Sequence, residues 1–159
     1  MGEMNEKVRA WIGIDPGKSG AMAVVWNDGS LQPTLLEYTG PLCYRKSLLD
    51  LPWSRIRVVV ERLFARPGPM SSAKANFELG RCMGELETML SMYEIPFQEV
   101  TPQAWQKEFG VSGDKQTHVD CAKRLFPGVS LKRNEKCKND FDGYADALLM
   151  AEYARRRMA

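Results

Sequence analysis

The apolar positions of this chain change period several times, and each change marks an element. Ile12 and Ile14 alternate with smaller neighbours, and Val24-Val25-Trp26 is a β-rich run. Together they predict a hairpin over residues 8–26. Pro16, Gly17 and Gly20 form its bend, and Asn27-Asp28-Gly29 is a second turn signal. Asp15 thus leaves the end of an interior strand where the backbone turns away. Leu31 to Tyr38 reads as a third strand, and Arg45 to Leu51 as a short helix ended by Pro52. Arg55-Ile-Arg-Val-Val-Val-Glu61 is the next clear strand, and its β-branched residues predict burial on both faces. Glu61 closes it, a second carboxylate at the end of a second interior strand.

Beyond Ser72 the period lengthens. Phe77, Gly80, Met83 and Gly84 fall on one side, with Leu79, Leu86 and Leu90 near them, which predicts a helix capped by Ser71 or Ser72 and running to about Tyr93. Glycine inside a helix costs ~1 kcal/mol against alanine. A close-packed neighbour at Gly80 and Gly84, either the sheet or a second copy, is therefore expected. Ile95 to Val100 is a short strand. Thr101-Pro102 opens a helix through Trp105 to Phe109, and Lys115 to Phe126 is amphipathic and stopped by Pro127-Gly128. Ser130 to Asp140 is basic and polar. The last helix begins near Asp142 and ends in Arg155-Arg156-Arg157. The order is that of one α/β domain with a mixed sheet, spanning residues 1–159.

Composition narrows the class. The chain has 159 residues, 44% apolar and 26% charged, as in a soluble globular protein. A net charge of +2 does not announce nucleic acid, so the distribution of charge carries the information. Four scattered cysteines without a Cys-x-x-Cys pair, and a single histidine, His118, argue against zinc. The polar start and the lack of an apolar run near ~20 residues indicate neither signal peptide nor membrane span. The expected location is intracellular, in cytoplasm or nucleoid or in an organelle matrix.

The Asp15 bend admits several chemistries. A P-loop needs glycine at position 12, where Ile stands, and a helix after the lysine, where a strand is predicted. A phosphate-contacting hairpin of the actin type would need a second phosphate hairpin and an adenosine motif, and neither is seen. An acidic nuclease centre needs more carboxylates. Asp142 and Asp146, four apart, share one side of the last helix. Alone they read as a cap and a first-turn acid favoured by the helix dipole. With Asp15 and Glu61 they give four carboxylates that can converge from two strand ends and one helix start. Converging carboxylates bind cations or protonate. Oxygen ligands alone suit Mg²⁺, with Mn²⁺ as a substitute. Two such ions ~3.5–4 Å apart clamp an in-line displacement at phosphorus.

Four blocks carry a resemblance: Ile12-Gly-Ile-Asp15-Pro-Gly-Lys-Ser-Gly-Ala, Val58-Val-Val-Glu61-Arg-Leu-Phe64, Thr101-Pro-Gln-Ala-Trp-Gln-Lys107 and Asp142-Gly-Tyr-Ala-Asp146-Ala-Leu-Leu-Met-Ala. In order and spacing, from residue 9 to 157, the chain resembles the RuvC-type Holliday junction resolvases of the RNase H-like nuclease superfamily, nearest in flavour to their phage and plastid branch. The resemblance implies a five-stranded mixed sheet flanked by helices. It implies a homodimer that binds branched DNA and resolves four-way junctions by paired symmetric nicks, in recombination and repair, with two Mg²⁺ ions per active site. By position it makes Asp15, Glu61 and Asp146 metal ligands. Asp142 is the fourth, with Asp140 as the alternative, because the family's acid pair is three apart in bacterial members. Lys115 would lie near the scissile phosphate, and Phe64 would stack on bases at the crossover. Arg66, Lys74, Arg81, Lys107, Lys123, Lys132, Arg133, Lys136 and Lys138 are candidates for a phosphate-backbone footprint. His118 is expected on a helix surface, and Arg155 to Arg157 as partners of the helix dipole. Two alternatives stay open: a nuclease of this fold acting on flaps or RNA–DNA hybrids, and a catalytically silent DNA-binding module.

Overall fold

The structure is a computed structural model, and it describes residues 7–40, 42–51, 53–65 and 72–158. Five strands form one sheet: β1 (Ala10–Asp15), β2 (Ala21–Trp26), β3 (Thr34–Glu37), β4 (Ile56–Glu61) and β5 (Phe97–Val100). Their spatial order is β3-β2-β1-β4-β5. β2 runs antiparallel to β1 and β3, whereas β4 is parallel to both β1 and β5. The helices are α1 (Arg45–Leu49), α2 (Ala73–Met92), α3 (Pro102–Phe109), α4 (Lys115–Leu125) and α5 (Asp142–Arg157).

β1 and β4 are central, and their alternation feeds two cores. Ile12, Ile14, Val58 and Val60 pack with Leu48 of α1 and with Leu86 and Leu90 of α2. On the other face Trp11, Ala21, Ala23 and Val59 pack with Ala147, Leu148 and Ala151 of α5. α5 is buried continuously from Gly143 to Glu152, as expected of a helix enclosed on most sides. It lies directly on β1 because Gly13 has no side chain. A Cβ there would meet the Ala147 carbonyl oxygen and the Ala151 amide nitrogen.

Local signals act as their chemistry requires. The side chains of Ser72, Thr101 and Asp114 cap α2, α3 and α4 by accepting from Ala75, Ala104 and Gln116 amides at 3.1, 3.3 and 3.0 Å. Two expectations change. The third strand begins at Thr34 rather than Leu31, because the turn after β2 continues with the Leu31 amide bonded to the Asp28 carbonyl at 3.0 Å and Pro33 offers no N–H. At Gly80 and Gly84 a Cβ would meet nothing within 4 Å, so the sheet is not their neighbour. Phe77, on the same side of α2, is 69% exposed. Among the described residues no helix is long and apolar enough to cross a membrane.

Candidate active site

The parallel register Ile14↔Val60 makes Asp15 and Glu61 the next residues on adjacent strands, pointing to the α5 face about 4.8 Å apart in strand spacing. The turn after Asp15 closes tightly, with the Gly20 amide donating to the Gly17 carbonyl at 2.9 Å. The first turn of α5 seats against this bend: a Cβ on Gly143 would stand 2.6 Å from the Ser19 carbonyl oxygen. Backbone approach at Gly13 and Gly143 thus brings Asp142 and Asp146 over the two strand ends. Asp146 is only 2% exposed.

Two of the acids, Asp15 and Glu61, are perturbed by their neighbours. Burial first, then the charges of Glu61, Asp146 and Asp142, hold the Asp15 carboxyl well above its ordinary range. Burial and Asp146 also raise Glu61, against the indole N–H of Trp105, which stabilises its charged form. Lys115, the first residue of α4, donates to Asp146 Oδ2 and lies 3.7 Å from Asp142 Oδ2. Burial opposes its charge, but Asp146, Asp15 and Asp142 outweigh that and raise its pKa.

Sequence reasoning missed two members of this site. His118 is not on a helix surface; it is 1% exposed. Its Nδ1 lies 2.6 Å from Asp146 Oδ1 and its Nε2 2.5 Å from the Ser112 carbonyl oxygen. Two acceptors call for two N–H donors, the imidazolium. Burial works against that form, yet the bond and charge of Asp146 raise the pKa. Trp105, 1% exposed, donates its indole N–H to Glu61 Oε1 at 2.8 Å and meets the His118 ring edge-on at 5.1 Å. The signal for His118 was its place one turn after Lys115, which gives both residues the same side of α4.

The donor chemistry fits a divalent cation. Four carboxylates gather around two cationic groups, Lys115 and His118, so the cluster is short of positive charge. All the free donors are carboxylate oxygens, the hard ligands Mg²⁺ and Mn²⁺ prefer. Among the described residues no three or more His, Cys, Asp or Glu side chains stand in a ligating arrangement. Asp146 is instead engaged by Lys115 and His118.

Of the remaining candidates, Asp140 lies outside the cluster, ion-paired with Lys123 at 2.5 Å. Phe64 is 52% exposed just beyond β4, with the Arg62 guanidinium 5.4 Å from its ring centre. Lys74 lines a hollow of about 370 Å³ beside Gly17 and Lys18. Arg133 and Lys138 line another of about 390 Å³ with Ser19 and Asp142. Arg133 and Lys138 thus share a hollow with Asp142, and Arg133 is also ion-paired with Glu37 at 3.2 Å and stacked 4.0 Å over the Phe141 ring. Arg81 is tied to Glu85 at 3.4 Å along α2. Lys107, Lys132 and Lys136 are exposed. Arg66 lies outside the described residues. Arg155, Arg156 and Arg157 do more than face a helix dipole: they pair with Glu152 and Glu108 at 2.5 to 3.4 Å.

No protein-family profile and no curated protein sequence matches the chain. Solved structures do. RuvC of T. thermophilus in complex with a Holliday junction substrate superposes with a TM-score of 0.62 at 15% identity, over 94% of this chain and 96% of that one. A second Thermus thermophilus RuvC structure gives 0.54 at 19% identity, over 92% and 96%. The yeast mitochondrial Holliday junction resolvase Ydc2 gives 0.55 at 13% identity, over 92% and 78%. The fold is therefore the RNase H-like, RuvC-type fold that the four blocks imply.

Proposed function

We propose that this protein is a Mg²⁺-dependent endodeoxyribonuclease that resolves four-way DNA junctions by paired symmetric nicks, as a homodimer. The observation that carries this reading is the gathering of Glu61, Asp142 and Asp146 around Asp15 at one end of the sheet, with fewer cationic groups than carboxylates, on a fold shared with junction resolvases. Asp15, Glu61, Asp142 and Asp146 would hold the divalent ions. Ions bound there supply activation of the attacking water and neutralisation of the leaving oxygen. Lys115 lies within the same cluster, where an ammonium stabilises charge developing on phosphate. His118 fixes Asp146. Lys74, Arg133 and Lys138 would contact backbone phosphates, and Phe64 would stack on unpaired bases.

The test is cleavage of a labelled immobile four-way junction with and without Mg²⁺, beside a flap and an RNA–DNA hybrid. Symmetric nicks in the junction alone are expected. Preference for the flap or the hybrid moves the substrate within the same chemistry, and no cleavage of any of them overturns the reading.

Lys115→Ala is expected to slow single-turnover cleavage by about 10²–10³-fold, the typical loss when one donor to developing charge is removed. Divalent-ion binding should tighten at the same time, because the ammonium that occupies Asp146 and Asp142 is gone. Calorimetric titration of Mn²⁺ checks this; weaker binding would contradict it.

The open Gly80/Gly84 side of α2, with Phe77 beside it, is the surface assigned to the second copy, since isologous contacts reuse one patch. Sedimentation at micromolar concentration should show a dimer, and Phe77→Glu should shift it to monomer. A strictly monomeric particle, even on junction DNA, contradicts the assignment.

A further inference from the structure

We propose that Trp105 is a positioning residue for Glu61, and that its indole, backed by the edge of His118, is one buried aromatic unit orienting two carboxylates of the cation site at once. The inference rests on the cation-dependent reading above and deepens it.

The chain builds this contact locally. Glu61 and Val100 are register partners on β4 and β5, and the Arg62 amide donates to the Val100 carbonyl at 2.8 Å. The next residue, Thr101, caps α3, and Pro102 takes its first position, so the helix leaves the sheet beside Glu61 at a fixed angle. Trp105, about one turn into α3, is thereby carried back against the carboxylate. Its indole has one N–H and no acceptor. The 2.8 Å bond therefore engages Oε1 of Glu61 as a pure donor. It removes one oxygen from rotation and leaves Oε2 for a cation. The other face of the unit is His118, 5.1 Å away and edge-on, whose Nδ1 holds Asp146 Oδ1 at 2.6 Å. Glu61 on β4 and Asp146 on α5 are thus aligned by neighbouring rings on α3 and α4. A buried indole N–H needs an acceptor, and the one this fold supplies is a carboxylate of the acid cluster.

The test separates positioning from packing. Trp105→Phe keeps a buried ring and deletes the N–H. Mn²⁺ titrated into DNA-free protein should bind about 10-fold more weakly, the lower end of the usual loss when a group orienting a metal ligand is removed. The melting temperature should stay within a few degrees. Cleavage should fall at low Mg²⁺ and recover at high Mg²⁺, raising the half-saturating ion concentration and leaving kcat within a few-fold. In a Glu61→Gln background the same substitution should change ion affinity no further. Wild-type ion affinity in Trp105→Phe, or an additive loss in the Glu61→Gln background, overturns the proposal. Should Trp105→Phe melt far below wild type, the indole N–H resonances of the wild-type chain decide, assigned by substituting the other tryptophans one at a time. The Trp105 resonance should move on Mg²⁺ addition and in Glu61→Gln; an unmoved resonance overturns the proposal. Wild-type protein that binds Mn²⁺ through a Trp105-dependent site but cleaves no branched DNA would sink the nuclease reading and leave the positioning role standing.

Discussion

Asp15→Asn is expected to abolish junction cleavage, leave junction binding intact and make the protein more stable at neutral pH. The three effects share one cause. Asp15 sits where burial and three other carboxylates disfavour its charge, and its folded-state pKa is well above the ordinary value. Below the unfolded-state pKa near 3.9 both states are protonated, and the group costs nothing. As pH rises from there through the raised folded-state value, the unfolded chain ionises first, so the stability contributed by the protonated folded group is lost. Asparagine never ionises, so the gap in melting temperature between variant and wild type should open across that window and stay open above it. Each kcal/mol recovered corresponds to roughly 2–4 °C in a chain of this size. Mg²⁺ should raise the melting temperature of wild type more than that of the variant, because a cation relieves the same repulsion in the native state only. Thermal melts from pH 4 to 8, with and without Mg²⁺, check this beside a gel assay of junction binding and cleavage. Retained full Mg²⁺-dependent cleavage by Asp15→Asn would remove the carboxylate centre from the mechanism.

Gly13→Ala should be strongly destabilising, because its added methyl points into the backbone of α5. At this position the added carbon meets the Ala147 carbonyl oxygen, the Ala151 amide nitrogen and the Met150 Cβ. Backbone cannot rotate away as a flexible side chain can, so α5 or β1 must shift. Overpacking of a dense interior costs typically 1–3 kcal/mol and occasionally more, and the rigid contacts here place the expected loss at about 3 kcal/mol. That is a fall of roughly 6–12 °C in melting temperature. The displacement also lifts Asp142 and Asp146 away from Asp15 and Glu61. Even the folded fraction should therefore show weaker Mn²⁺ binding and slower cleavage, since a misplacement near 1 Å can cost about 10²-fold. Gly29→Ala serves as the control, because a Cβ there meets nothing within 4 Å. Equal stability of Gly13→Ala and wild type would mean that α5 does not rest on β1 as described.

The strands, the helices and their order were legible along the chain because periodicity, caps and turn residues act within a few positions. Asp15 and Glu61 could be paired in advance because each ends an apolar strand pattern, and such patterns become central strands whose ends coincide. Asp142 and Asp146 followed from helical spacing. His118 was misplaced for a physical reason. A lone histidine in an amphipathic helix looks solvated until the helix that covers it supplies a buried carboxylate, and Asp146 lies 28 residues away. Trp105 likewise looked like part of a helix-opening block, and its Glu61 partner is 44 residues back. The Gly80/Gly84 pair suggested a closely packed neighbour, and within the described chain a Cβ at either position meets nothing within 4 Å.

Local chemistry was enough to set the α/β element order, the acid at each strand end and the acidic start of the last helix, since those depend only on neighbouring residues. Which oxygen of Glu61 is held, how Asp146 is divided between Lys115 and His118, and why Asp140 pairs with Lys123 instead of joining the cluster were decided by packing alone. Burial and hydrogen-bond partnership exist only once distant segments meet, and here two glycines, Gly13 and Gly143, set how closely they do.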